Sequence, residues 1–207
     1  MWQVVLYISP VTVTLFIAAM AGLSGAGAWW YQRENGGRAL RAARVLLVAW
    51  TTLVLLATLV PTQPLGSGGH DISWIPGEGM WEASGSNGGL FPEEQDMILR
   101  LQIANAAMFV PLASLLSFAI RCRSVLVVTG VCLLTSVLIE MVQFIMAAGR
   151  TVDVDDVLFN SLGAALGALF ATLSLRLAKR PGPAAARHAA RNLTGPGSPA
   201  APASDEY

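Results

Sequence analysis

Two histidines and two cysteines in 207 residues are too few for a zinc site or a disulfide framework, since Cys122 and Cys132 have no second pair to join them. Both cysteines read as reduced packing residues. Charge is scarce too. Asp, Glu, Lys and Arg make up 13% of the chain, the formal net charge is zero, and no basic residue precedes the first apolar stretch. This balance gives no argument for nucleic acid, which is not expected as a partner. An apolar segment without a basic leader is not a cleavable signal peptide and reads as an uncleaved anchor. The chain also lacks a Gly-rich loop to cradle phosphate and a nucleophile with an evident neighbouring base.

Apolar residues dominate what is present. A 54% hydrophobic content and a mean hydropathy of +0.57 describe an all-α, polytopic membrane helix bundle. Five segments are long enough to cross a hydrocarbon layer of about 30 Å: 4–28, 42–60, 101–120, 125–148 and 154–177. Pro10 lies in the opening turns of the first, whose small-residue run from Ala18 to Gly22 and on to Gly27 suits helix packing. Pro61 and Pro64 mark the exit of the second. Residues 62–100 turn to Gly, Ser, Pro and Trp with six acids, which reads as a loop outside the membrane. Its Trp74 and Trp81 fit either the headgroup level or loop packing. Near its end, Phe91-Pro92-Glu93-Glu94 reads as a helix start, with Pro in the first turn and acids at the positive end of the dipole. The tail, 181–207, is too rich in Pro, Ala and Gly to bury a core and is expected to be disordered.

Eleven of the thirteen basic residues fall on one side of a five-span arrangement: Arg33, Arg38, Arg41, Arg44, Arg121, Arg123, Arg176, Lys179, Arg180, Arg187 and Arg191. Arg100 and Arg150 fall on the other. The preference for basic residues in cytoplasmic connections then places the N-terminus outside and the C-terminus inside a multi-pass cell-membrane protein. The pattern Asn192-Leu193-Thr194 lies on the cytoplasmic side, where it would not be glycosylated.

The stretch Arg150 to Gly167 puts charged residues and an amide at the outer mouth of an apolar helix. At about 100° per residue, Asp153, Asp156, Asn160, Gly163 and Gly167 fall within an arc of roughly 80°, and Asp155 points away. In the fourth span Ser136, Glu140 and Gln143 share a face. Glu140 lies ten residues before Arg150 and Asn160 ten after it, so a tight hairpin brings them to similar depth. Asn105 sits near the outer end of the third span. These groups are expected to line one recess about 10 Å deep. Plainer roles stand beside that expectation: Asp153 as an N-cap with Asp156 favoured by the helix dipole, Glu140 paired with Arg150, and Gly163 with Gly167 as a small-xxx-small packing pair. A hard cation held by Asp153, Asp156 and Glu140 is a weaker alternative. His70 and His188 are isolated.

Three groups of residues carry a family resemblance. They are Asn105-x3-Phe109-x-Pro111, then Ser136-x2-Ile139-Glu140-x2-Gln143, then Arg150-x2-Asp153-x2-Asp156-x3-Asn160-x2-Gly163-x3-Gly167. In order and spacing they resemble the signature of the VanZ-like family of integral membrane proteins. Ala113 stands where that family usually has Gly after Pro-Leu. The resemblance implies a four-helix membrane domain over 42–180, including the outer loop 61–100. An anchor helix and basic connection at 1–41 and the tail at 181–207 are then additions. The family is named for a protein linked to resistance to the glycopeptide antibiotic teicoplanin, and membership does not itself make a chain a resistance determinant.

Three function classes follow. In the first, an outward site binds or modifies an envelope lipid, a lipid-linked precursor or a glycopeptide. Glu140, Asp153 and Asp156 are then the catalytic candidates and Asn105, Gln143, Arg150 and Asn160 the binding ones. The second is an assembly module whose polar patch orders its own helices. The third, a transport path, needs ionisable groups through the whole depth, and the inner halves of the spans have none. They rank in that order. No cofactor, metal, oligomeric state or definite reaction is indicated by the sequence.

Overall fold

Backbone groups inside a bilayer must bond within their own segment, so a chain this apolar folds as helices. The computed structural model describes residues 8–33, 37–61, 63–67, 72–73, 75–77, 92–147 and 152–178. Five helices span them: α1 (Pro10–Arg33), α2 (Gly37–Leu59), α3 (Pro92–Ala119), α4 (Val125–Met146) and α5 (Val154–Ala178). Each is long and apolar enough to cross a membrane. Two two-residue strands, β1 (Ile72–Ser73) and β2 (Val152–Asp153), pair in parallel and tie the α2–α3 connection to the start of α5. The expected tail 181–207, together with Trp74, Trp81 and Arg150, lies outside the described residues.

The helix ends follow local chemistry. α1 starts at Pro10, whose missing N–H is no loss in a first turn. Ser9 before it accepts from the Thr12 N–H at 3.3 Å and donates its own N–H to the Thr12 Oγ1 at 2.8 Å. α3 starts at Pro92, where the Phe91-Pro92 signal placed it, well before the expected apolar limit. Ser124 caps α4 by accepting from the Val127 N–H at 3.4 Å, and Ala147 ends that helix in the left-handed region at φ 42°.

α5 is the central helix. It packs most extensively on α3, then on α4 and α1, while α2 lies mainly on α3. A Cβ on Gly163 would fall on the Ala106 backbone carbonyl, and one on Gly167 on that of Val110, so two helix backbones meet here with no side chain between them. The expected tight hairpin of the fourth and fifth spans would set this stripe against α4. The close partner is α3 instead, because the flat Gly face settles where another backbone can enter. The Ser114 hydroxyl locks the pair by donating to the Gly167 carbonyl at 2.8 Å. Below, Phe109, Ala113, Cys132, Ala164 and Ala168 form the core, and Ala28, Phe118, Ala171 and Leu175 extend it towards α1. In α1 the packed residues are Ser24, Gly27 and Ala28, whereas Ala18, Ala19, Ala21 and Gly22 are exposed.

Antiparallel helices joined in sequence place Arg33, Arg38, Arg121, Arg123 and Arg176 at one end of the bundle. The Arg121 guanidinium lies 5.8 Å from the centre of the Tyr31 ring, which puts the α3–α4 turn beside the end of α1. The three aspartates of the α5 start lie at the opposite end.

Candidate functional site

The polar arc of α5 is divided between two neighbours, α3 and α4. Asp156 meets α3: the Asn105 amide donates to the Asp156 Oδ1 at 2.6 Å. Gln102, one turn earlier on α3 and 3% exposed, has its side-chain amide beside that carboxylate. Asn160, one turn deeper, meets α4, where its Nδ2 donates to the Ser136 Oγ at 2.9 Å. Ser136 and Glu140 are one turn apart on α4, and both are buried, at 0% and 5% exposure. The structure thus brings Asn105 to Asp156 and Asn160 to the Ser136–Glu140 face.

Gln143 has a different attachment. It is buried, and its Nε2 donates to the Thr58 carbonyl of α2 at 2.9 Å, clamping α2 to α4. Asp153 takes the capping role: its Oδ1 accepts from the Asp155 N–H at 2.9 Å, two residues on. Arg150, expected beside Glu140, lies outside the described residues.

Asp155 lies off the polar arc, as the helical wheel has it, and the structure gives it a partner that the wheel does not contain. The residue is 6% exposed, and both carboxylate oxygens accept from the Gly77 backbone N–H, at 3.0 and 2.9 Å. Residues 75–77 of the α2–α3 connection thus lie over the first turn of α5, on the face that a bare helix would leave open. Gly77 is itself buried with φ 76°, a conformation natural to Gly. Adjacent carboxylates therefore do separate work, Asp155 holding the loop and Asp156 facing α3.

Gln102 was missed by sequence reasoning. Its signal was available, since Gln102 and Asn105 stand three apart on one helix face, but the apolar limit set at Leu101 left Gln102 at the margin. Among the described residues no group of three or more His, Cys, Asp or Glu is placed to hold a metal ion. Both thiols are free, Cys132 buried in the core and Cys122 half-buried.

Chemically, the end of the bundle at which α5 begins holds carboxylates from α4 and α5 and amides from α3 and α5 in surroundings that are otherwise apolar. A carboxyl group positioned by neutral amides can hold or pass a proton, and it can orient a polar headgroup. A family model described as VanZ/LLP1 matches residues 43–175. No curated protein and no solved structure matches the chain.

Proposed function

We infer that this chain, which belongs to the VanZ/LLP1 family and is a membrane protein, binds or modifies an amphipathic molecule of the cell envelope at its polar band. The molecule is an envelope lipid, a lipid-linked precursor or a glycopeptide. The band faces outward, with the N-terminus outside and the C-terminus inside. The observation that carries this reading is the Asn105–Asp156 hydrogen bond at 2.6 Å between two spans. A carboxylate in an apolar span is expensive to keep, and such residues mark functional sites by default. Buried Glu140 adds a second acid at the same end of the bundle. In this reading Glu140 and Asp156 are the proton-handling groups, Asn105 and Asn160 position the ligand, and Asp153 and Gln143 set the helices around them.

A non-catalytic assembly module is the second reading. It is favoured by the Gln143–Thr58 and Asn160–Ser136 bonds, which join helices without any ligand. One experiment separates the two. Envelope lipids, precursors and glycopeptide susceptibility are compared in cells lacking the protein and rescued by wild type, Asp156→Asn, Glu140→Gln or both changes together. Only wild type is expected to rescue, with normal abundance of every variant and a double variant no worse than either single one, because the first loss already disables a shared site. Rescue by the single variants, or losses that track abundance, would establish the assembly reading instead.

A further inference from the structure

The polar band leaves two buried amide oxygens without a donor among the described residues. A carboxylate accepts hydrogen bonds, so Gln102 turns its Nε2 to Asp156, and its Oε1 is left buried with no hydrogen-bond partner among the described residues. Asn160, 6% exposed, repeats the arrangement: its Nδ2 is on Ser136, and its Oδ1 has no partner among the described residues. Asn105 also gives its amide N–H to Asp156. Three amides thus point donors at the band's own side chains, and two carbonyl oxygens are left over beside a carboxylate. Leaving a buried acceptor without a donor is unfavourable, and a donor brought by a ligand recovers that loss. Phosphate brings further acceptors and negative charge, so against this wall it meets repulsion and supplies no donor.

We propose that the buried polar cluster of Gln102, Asp156 and Asn160 selects the hydrogen-bond-donating part of an amphipathic ligand, a hydroxyl or ammonium headgroup, and turns phosphate away. This rests on the binding reading above and adds the polarity of the ligand. For a lipid-linked molecule it places the hydroxylated or amine-bearing portion against α3 and α5, with any phosphate elsewhere.

The test is competitive lipid retention by the full-length protein in native mass spectrometry, which reads only the folded population. Three lipids with matched acyl chains are offered: glucosyl diacylglycerol, a primary-amine diacyl lipid without phosphate, and phosphatidic acid. Wild type is expected to retain the first, the second or both about tenfold over phosphatidic acid, one buried hydrogen bond being worth roughly that factor. Retention of only one of the donor lipids assigns the headgroup as hydroxyl or ammonium. Gln102→Met, which keeps the length and removes the acceptor, lowers the preference several-fold, and Gln102→Lys shifts it towards phosphatidic acid. Equal retention of all three lipids, a wild-type preference for phosphatidic acid, or a preference unchanged in both Gln102→Met and Asn160→Leu overturns the proposal. If retention is unselective while only wild type rescues the cells, donor selection fails and the binding reading stands. Selective retention with cellular rescue by Asp156→Asn supports donor selection and removes the cellular role.

Discussion

α1 and α5 are nearly equal in length, at 24 and 25 residues, and both carry small residues, yet 11% of the apolar window of α1 is buried against 39% for α5. The difference lies in what meets the small residues. Gly163 and Gly167 lie against the Ala106 and Val110 backbone, with a polar anchor above at Asn105–Asp156 and another beside at Ser114–Gly167. Gly22 and Gly25 have open space where a Cβ would stand. Without a water-driven hydrophobic effect between spans, close van der Waals fit and interhelical hydrogen bonds decide which helices associate. A run of small residues is permission to pack, and the anchors determine whether it is used.

The largest expected effect breaks the packed side of this comparison. Gly167→Val drives a branched side chain into a helix backbone, which cannot rotate away as a side chain would. The helices must separate, costing more than about 3 kcal/mol, the upper end for ordinary overpacking. Gly22→Val is expected to leave stability unchanged. Monodisperse yield and unfolding temperature in detergent measure both; equal losses would show that α1 is packed through Gly22 in the membrane.

A smaller and more local effect is expected at Asp155. Asp155→Ala leaves the buried Gly77 N–H without its acceptor, a loss of about 1–3 kcal/mol. The loop should loosen while the five helices remain. Ile75, 61% exposed and two residues from Gly77, reports it as Ile75→Cys. A membrane-impermeant thiol reagent is expected to label it from outside the cell, and faster in the Asp155→Ala background. Labelling only after permeabilisation would reverse the proposed orientation, and an unchanged rate would show that the loop is held elsewhere.

These cases mark how much was legible in the sequence. Five spans and the α3 start at Pro92 followed from hydropathy and helix-start chemistry, which are local. The Asn105–Asp156 meeting was legible because polar residues at matching depth in apolar helices have few other partners. The Asp155–Gly77 bond was not, since a helical wheel places neighbours on a bare cylinder and a returning loop is no part of it. Gln143 also escaped: its face and depth matched the polar group, but its partner is a backbone carbonyl on α2, which carries no residue signal. The partner of the Gly163 stripe was hidden for a related reason, because Ala106 and Val110 contribute backbone to the contact.

The smallest effect sharpens the comparison by using two tryptophans. The Trp50 Nε1 donates to the Met108 carbonyl at 2.9 Å and fastens α2 to α3, whereas Trp29 on α1 is 59% exposed and has the Arg33 guanidinium 5.1 Å from its ring centre. Replacing either with Phe keeps an aromatic ring. Trp50→Phe removes a hydrogen bond between spans, worth about 0.6 kcal/mol on average in a membrane and under about 2 kcal/mol at most. Trp29→Phe weakens an exposed cation–π contact within one helix, worth about 0.5–1 kcal/mol where it forms and screened at a wet interface. Because that contact joins no two helices, its loss leaves the assembled bundle as it was. The unfolding temperature in detergent is therefore expected to fall by a few degrees for Trp50→Phe and to stay level for Trp29→Phe. Equal falls would mean that α1 is as firmly fastened as α2, and the contrast between open and anchored helices would then have to be redrawn.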